Sequence, residues 1–168
     1  AVGYFTAATK IMVITMSISS ALGAVIMPRT SNLIAEERMD EFKALVQKSY
    51  DFIFALAMPL MVGLIFTSPS AVLLLSGEGF VPAILTSQIV AFNILTVGLS
   101  GVMGIQVLYP LGKINIVILC TSIGAIINVF LNVLLIPRYG HNGTAVAYML
   151  AEMTVTVSMF FIGKRYIP

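Results

Sequence analysis

The most informative stretch for the fold is residues 114–162, INIVILCTSIGAIINVFLNVLLIPRYGHNGTAVAYMLAEMTVTVSMFFI. It contains two apolar runs, Ile114 to Ile136 and Thr144 to Ile162, on either side of the short segment PRYGHNG. About 20 apolar residues cross the hydrocarbon core of a bilayer, and Glu152 is the only charged residue in either run. Because polar residues do not alternate with apolar ones, each run favours a helix over a barrel strand. The stretch therefore predicts two membrane-spanning helices joined by a turn.

Three further runs meet the same criterion, namely Ala8 to Met27, Ile53 to Leu75 and Ala83 to Tyr109, with Lys10 as their only charge. The composition agrees, since 59% of the 168 residues are hydrophobic and only 10% are charged. A soluble domain carries about 25% charged residues, so soluble, nucleic-acid-binding and disordered classes are excluded. We predict an all-α fold, a polytopic transmembrane bundle of about five helices that forms a single domain over residues 1–168.

Nine of the charged residues lie between Pro28 and Phe52. Apolar residues recur at helical spacing there from Met39 to Val46, which predicts a short amphipathic helix at the membrane surface that leads into the second span. This charged loop, the turn at Lys113 and the C-terminal tail together hold seven Lys and Arg residues, whereas the alternate loops hold only Arg138. Because cationic loops stay on the cytoplasmic side, we expect a multi-pass protein of the inner (cytoplasmic) membrane with a cytoplasmic C-terminus.

The first residues of the chain bear on what precedes it. The odd number of spans places Ala1 on the outer side, and the chain begins without methionine or a signal peptide. We therefore expect further helices to precede this sequence.

Ionisable and amide side chains within the spans are the candidate functional groups. A charge in a span is costly and normally faces a cavity or a partner, which makes Lys10 and Glu152 cavity candidates, although Lys10 is close enough to a helix end to reach the interface. The amides are Gln88, Asn93, Gln106, Asn115, Asn128 and Asn132, of which Gln88, Asn93, Asn128 and Asn132 are the cavity candidates. They line a polar cavity in one interpretation and act as hydrogen-bond glue between helices in the other.

Catalytic and metal-binding motifs are absent from the sequence. His141 has no second His or Cys at ligand spacing, Cys120 is the only cysteine, and no phosphate-binding loop or nucleophile elbow occurs. We expect no enzyme activity, no cofactor, no metal and no nucleic-acid partner.

Short motifs along the whole chain resemble the second half of polysaccharide-biosynthesis flippases. These are the Wzx-type O-antigen and oligosaccharide-lipid exporters of the MOP superfamily. The motifs are VGY at 2–4, AATKI at 7–11, MPRTS at 27–31, AMP at 57–59, SGEGF at 76–80, QVL at 106–108, GK at 112–113, Asn128, NVLLIPRYG at 132–140 and GTA at 143–145. The resemblance implies two six-helix lobes, of which this chain supplies the eighth to twelfth helices.

By this resemblance, the protein moves undecaprenyl-diphosphate-linked oligosaccharide repeat units across the bacterial cytoplasmic membrane for O-antigen, capsule or exopolysaccharide synthesis. Tyr4 and Lys10 match a family motif, and Lys10 would neutralise the diphosphate. Arg29 and Lys113 would lie at the cytoplasmic rim, and Glu152 would couple transport to an ion gradient. The implied partners are the lipid-linked oligosaccharide, membrane lipids, the missing N-terminal lobe and a polysaccharide polymerase complex.

Two sets of alternatives stay open. Drug/cation antiporters of the MATE type and the lipid II flippase share the architecture, and hydrophobic periodicity does not separate them. From another class, the chain would be a non-transporting membrane scaffold or a truncated remnant, because five spans do not enclose an alternating-access cavity alone.

Overall fold

The computed structural model describes residues 2–166, apart from the side chains of residues 18–25. Ala1, which the predicted topology places on the outer side, lies outside this range. Over the described residues the fold is helical and has no strand. The helices are α1 (Val2–Ala35), α2 (Met39–Ser76), α3 (Ala83–Ala91), α4 (Asn93–Gly101) and α5 (Ile114–Gly163), with a π-helical segment (Val102–Leu108) after α4 and short 3-10 turns at Glu78–Phe80 and Lys164–Tyr166.

Three segments of the described chain are long and apolar enough to cross a membrane: Met39–Ser76, Ala83–Leu108 and Ile114–Tyr166. The last contains two spans, because Gly140 leaves the helical backbone with φ 55° and ψ −128°. Each arm of α5, residues 114–139 and 141–163, is longer than the about 20 residues that a bilayer requires. With α1, the predicted bundle of about five helices is confirmed.

The predicted connection at residues 137–143 is smaller than its sequence suggests. Pro137 stays within the helix, and only Gly140 adopts a non-helical conformation. Beyond it, Gly143 packs so closely on the first arm that an added Cβ would lie 2.6 Å from the carbonyl oxygen of Leu135. The two arms therefore turn back on each other as a tight antiparallel hairpin.

The charged segment is helical on both sides of a turn. Helix α1 continues through Pro28 to Ala35, the chain reverses around Glu37, which has φ 59°, and α2 then runs without interruption from Met39 to Ser76. The predicted amphipathic stretch is thus the first part of α2. Its apolar face is buried at Phe42 and Val46, which pack with residues of the other helices.

Two apolar clusters form the core of the bundle. One cluster joins α1 and α2 near their connection to the π-helical segment and the end of α5, through Leu33, Phe42, Leu108 and Met159. We call this the basic end, because the charged segment and the C-terminal Lys164 lie here. The other cluster occupies the remaining length of α1 to α4 and includes Ala8, Ala57, Val90 and Ile94.

Candidate functional site

The arms of α5 pack closely at Gly124. A Cβ added there would lie 2.2 Å from Val155 Cγ2 and 3.4 Å from the carbonyl oxygen of Ala151. Opposite Val155, only glycine permits this backbone separation, and small residues are common where helices pack in membranes. The contact holds the polar residues on the two arms at either side of one groove.

This groove, which we call the hairpin groove, has a volume of about 460 Å³. Its polar lining comes from α4 and both arms of α5: Ser100, Thr121, Asn128, Tyr148 and Glu152. Tyr148 and Glu152 are four residues apart and therefore share a helix face. Thr156, one turn further on, donates a hydrogen bond of 2.9 Å to the carbonyl oxygen of Thr96 and so ties the second arm to α4.

Glu152 is half-buried in the hairpin groove. Neither a hydrogen-bond donor nor a cation pairs with its carboxylate within residues 2–166. A carboxylate at this depth is costly without a partner. Glu152 thus lines the groove, and its cavity role stays a prediction.

Asn128 and Asn132 form an amide pair on the first arm. Asn132 Nδ2 donates to the backbone oxygen of Asn128 at 2.8 Å and to its Oδ1 at 3.0 Å. Asn128 lines the hairpin groove, and both asparagines line an adjoining pocket of about 360 Å³ that ends at Pro137. A line of polar groups therefore runs along the hairpin from Glu152 to Asn132.

The other predicted cavity residues lie elsewhere. Gln88 donates to the carbonyl oxygen of Ile65 at 3.3 Å, which links α3 to α2, and Asn93 is fully buried at the start of α4. Tyr4 packs edge-on against Phe80, with a ring-centroid distance of 5.6 Å. Lys10 is exposed on α1 and is not part of the hairpin groove. The structure thus brings Asn128, Asn132 and Glu152 together, and the functional roles of all seven residues stay predictions.

The two predicted rim residues lie at the basic end. Arg29 is exposed near the end of α1 and lines a small pocket against α2. Lys113 is exposed before α5, with its Nζ 5.2 Å from the ring centre of Tyr166.

Sequence reasoning missed Tyr148, Thr121 and Ser100 as lining residues of the groove. Tyr148 carries a usable signal, since it lies one turn before Glu152 and thus on the same helix face. Thr121 and Ser100 carry none, because a single hydroxyl in an apolar helix usually bonds its own backbone, as Thr121 does to Val117 at 2.9 Å.

The helices and the groove define a class of protein: a multi-pass membrane protein whose polar groups line an intramembrane groove and form no catalytic cluster among the residues described. Such a groove is typical of transporters. Comparison with known families identifies the family within this class. The Lipid II flippase MurJ family matches residues 3–167. The chain belongs to this family.

One curated relative is the probable low-salt glycan biosynthesis flippase Agl15 of Haloferax volcanii. It is 26% identical over 156 residues, which cover 93% of this chain and 33% of the relative. The chain thus spans about a third of the length of that relative. The predicted flippase-type family is confirmed, and the family that matches is the one that the sequence left open as an alternative to the polysaccharide branch.

Proposed function

We propose that the protein carrying this chain moves a lipid-linked saccharide from the inner to the outer leaflet of the cytoplasmic membrane. The family match over residues 3–167 carries this proposal, and a relative described as a glycan biosynthesis flippase supports it. A diphosphate-linked sugar does not cross hydrocarbon unaided, so it requires a polar path between helices. The hairpin groove, with Asn128, Asn132 and Glu152, supplies part of such a path.

Two substrates are candidates within this proposal. The first is an undecaprenyl-diphosphate-linked oligosaccharide repeat unit for O-antigen, capsule or exopolysaccharide synthesis, which the motif resemblance favours. The second is lipid II, which the matching family favours. Both carry a diphosphate, and for both we assign charge neutralisation to Lys10 and entry at the cytoplasmic rim to Arg29 and Lys113.

The orientation is part of the proposal. Arg29, Lys113 and Lys164 lie at the basic end of the bundle, where Leu33 and Leu108 pack in one cluster. Since cationic segments remain cytoplasmic, we assign the basic end and the C-terminus to the cytoplasm.

The test is transport by the natural-length protein in proteoliposomes. Fluorescent lipid II and a fluorescent polyprenyl-diphosphate oligosaccharide are placed in separate vesicles, and a membrane-impermeant quencher reports their arrival in the opposite leaflet. We expect one of the two lipids to be moved faster, and Lys10→Ala to reduce that rate about tenfold through loss of one charge-assisted contact. Lys43→Ala, which removes another exposed cation outside the groove, serves as the matched control.

Two results would contradict the proposal. If neither lipid moves faster than in protein-free vesicles, the scaffold interpretation replaces transport, and if a lipophilic cation moves instead, the antiporter interpretation does. A Lys10→Ala variant that transports like Lys43→Ala would remove Lys10 from the mechanism.

Glu152 is our candidate for coupling transport to an ion gradient. In the same vesicles, an imposed proton or sodium gradient is expected to accelerate transport by the wild-type protein. Glu152→Gln keeps the size and polarity of the side chain but not its charge, so we expect it to lose the acceleration and to keep the rate without a gradient. Glu78→Gln, in the exposed turn after α2, is the control, and equal acceleration of both variants would exclude Glu152 from coupling.

A further inference from the structure

A second, separate pocket lies at the basic end, between the last turns of α1 and the first turns of α2. It has a volume of about 220 Å³. Its lining consists of Arg29 and Leu33 from α1 and Glu41, Ala44, Leu45 and Lys48 from α2. Cationic and apolar side chains therefore line the same pocket.

The charge of this pocket is positive because its one carboxylate is already engaged. Two nitrogens of Arg38 donate to the carboxylate of Glu41, each at 2.7 Å, and hydrogen bonds to Glu36 and Glu41 raise the pKa of Arg38 above its ordinary value. Arg29 and Lys48 have no such ion pair in the described part of the chain. Their charges stay available to an anion.

The pocket also lies at a defined depth. Between Lys10 and Arg29 the chain carries no charge, and between Asp51 and Glu78 it carries none either. Since uncharged runs of about 20 residues mark the hydrocarbon core, Arg29 and Lys48 lie just beyond its edge. Phosphate groups of the membrane lipids occupy this level.

We propose that this pocket binds the phosphate group of an anionic membrane phospholipid. The Arg29 guanidinium is suited to two parallel hydrogen bonds to phosphate oxygens, and the Lys48 ammonium acts as a point charge beside it. Leu33 and Leu45 then contact the first carbons of the lipid. This site does not depend on the proposed transport.

The size of the pocket indicates what kind of group it binds. Pockets that enclose drug-sized ligands measure about 300–1,000 Å³, so a pocket of about 220 Å³ has room for a headgroup phosphate and is too small to enclose a saccharide as well. The mixture of cations and leucines also suits a lipid better than free phosphate, because free phosphate has no apolar part to contact the leucines.

The experiment measures lipid binding to the natural-length protein in detergent micelles. Labelled phosphatidylglycerol is titrated alone, then in competition with phosphatidylcholine and with inorganic phosphate. We expect the double variant Arg29→Ala/Lys48→Ala to raise the Kd for phosphatidylglycerol about tenfold or more, because each cation near an anionic lipid contributes about a fivefold gain in binding. Lys48→Gln alone is expected to raise it about fivefold, and Lys43→Ala, whose side chain is exposed outside the pocket, by less than about twofold.

Each outcome supports or overturns the proposal. Thermal unfolding of every variant shows whether it is folded, and both substituted side chains are exposed, so folding should be retained. Unchanged phosphatidylglycerol binding in both the double variant and Lys48→Gln would overturn the site. Inorganic phosphate that binds as tightly as the lipid would overturn the assignment to a lipid, and equal competition by phosphatidylcholine would overturn the preference for an anionic headgroup. Absence of transport by the wild-type protein, with phosphatidylglycerol binding intact, would contradict only the proposed function.

Discussion

Replacing Gly124 with alanine places a methyl group at a close contact between the arms of α5. The new Cβ would lie 2.2 Å from Val155 Cγ2, whereas two carbon atoms attract at about 3.5–4.0 Å. Valine has one strongly preferred side-chain rotamer in a helix, so the backbones have to separate by about 1 Å or more. Overpacking of this kind costs about 1–3 kcal/mol, and we expect Gly124→Ala to lower the free energy of unfolding by about 2 kcal/mol.

A second substitution tests whether this contact is the cause. Val155→Ala removes the methyl group that meets the new Cβ and costs about 1–2 kcal/mol by itself through lost packing. In the double variant the alanines fit side by side. We expect it to be about as stable as Val155→Ala alone, a coupling of about 2 kcal/mol in the double-mutant cycle.

The measurement is unfolding in mixed micelles by titration with sodium dodecyl sulfate, followed by far-ultraviolet circular dichroism because the chain has no tryptophan. Gly63→Ala is the matched control, since nothing lies within 4 Å of its added Cβ and alanine is the better helix former by about 0.5–1 kcal/mol. The reasoning is refuted if Gly124→Ala lowers the free energy of unfolding no more than Gly63→Ala does. It is equally refuted if the double variant equals the sum of the singles within about 0.5 kcal/mol.

Three further predictions use the same unfolding assay. Gly143→Ala should lower the free energy of unfolding by about 2 kcal/mol or more without rescue by Leu135→Ala, because the added Cβ meets the backbone oxygen of Leu135 at 2.6 Å; rescue by that variant would contradict this. Gly140→Ala should lower it by about 1–3 kcal/mol, since φ 55° with ψ −128° is strained for any residue with a Cβ, and an unchanged stability would show that the turn relaxes. Phe42→Ala should lower it by about 3–5 kcal/mol, since the ring is fully buried at the basic end; a loss below about 1 kcal/mol would mean that the site collapses around the smaller side chain.

The helices were predictable because one strong physical requirement governs them. A span needs about 20 consecutive, predominantly apolar residues, and these can be counted along a single chain. The extent of the connections was not predictable in the same way. Pro137 usually indicates a helix end, yet it continues the first arm, and the reversal takes place at Gly140 alone.

The hairpin groove was predictable only in part. Helical spacing puts Asn128 and Asn132 on one face, and Tyr148 and Glu152 on another. Which of these faces meet depends on the rotation of each arm, and that rotation follows from packing at Gly124, where the size of Val155 decides the fit. Sequence periodicity contains no information on that packing.

Some polar side chains in the spans are satisfied by a neighbouring helix. Gln88 bonds the carbonyl oxygen of Ile65, and Thr86 donates to Asn142 Oδ1 at 2.6 Å. These contacts join helices, which is the usual use of polar side chains in a membrane. Glu152 has the higher cost of burial and yet faces a groove, while its neighbour Thr156 makes the interhelical bond with its hydroxyl. Thr156 alone would be enough to join the helices at this position, so hydrogen bonding between helices does not account for the carboxylate, and the ion-coupling role that we propose for Glu152 would.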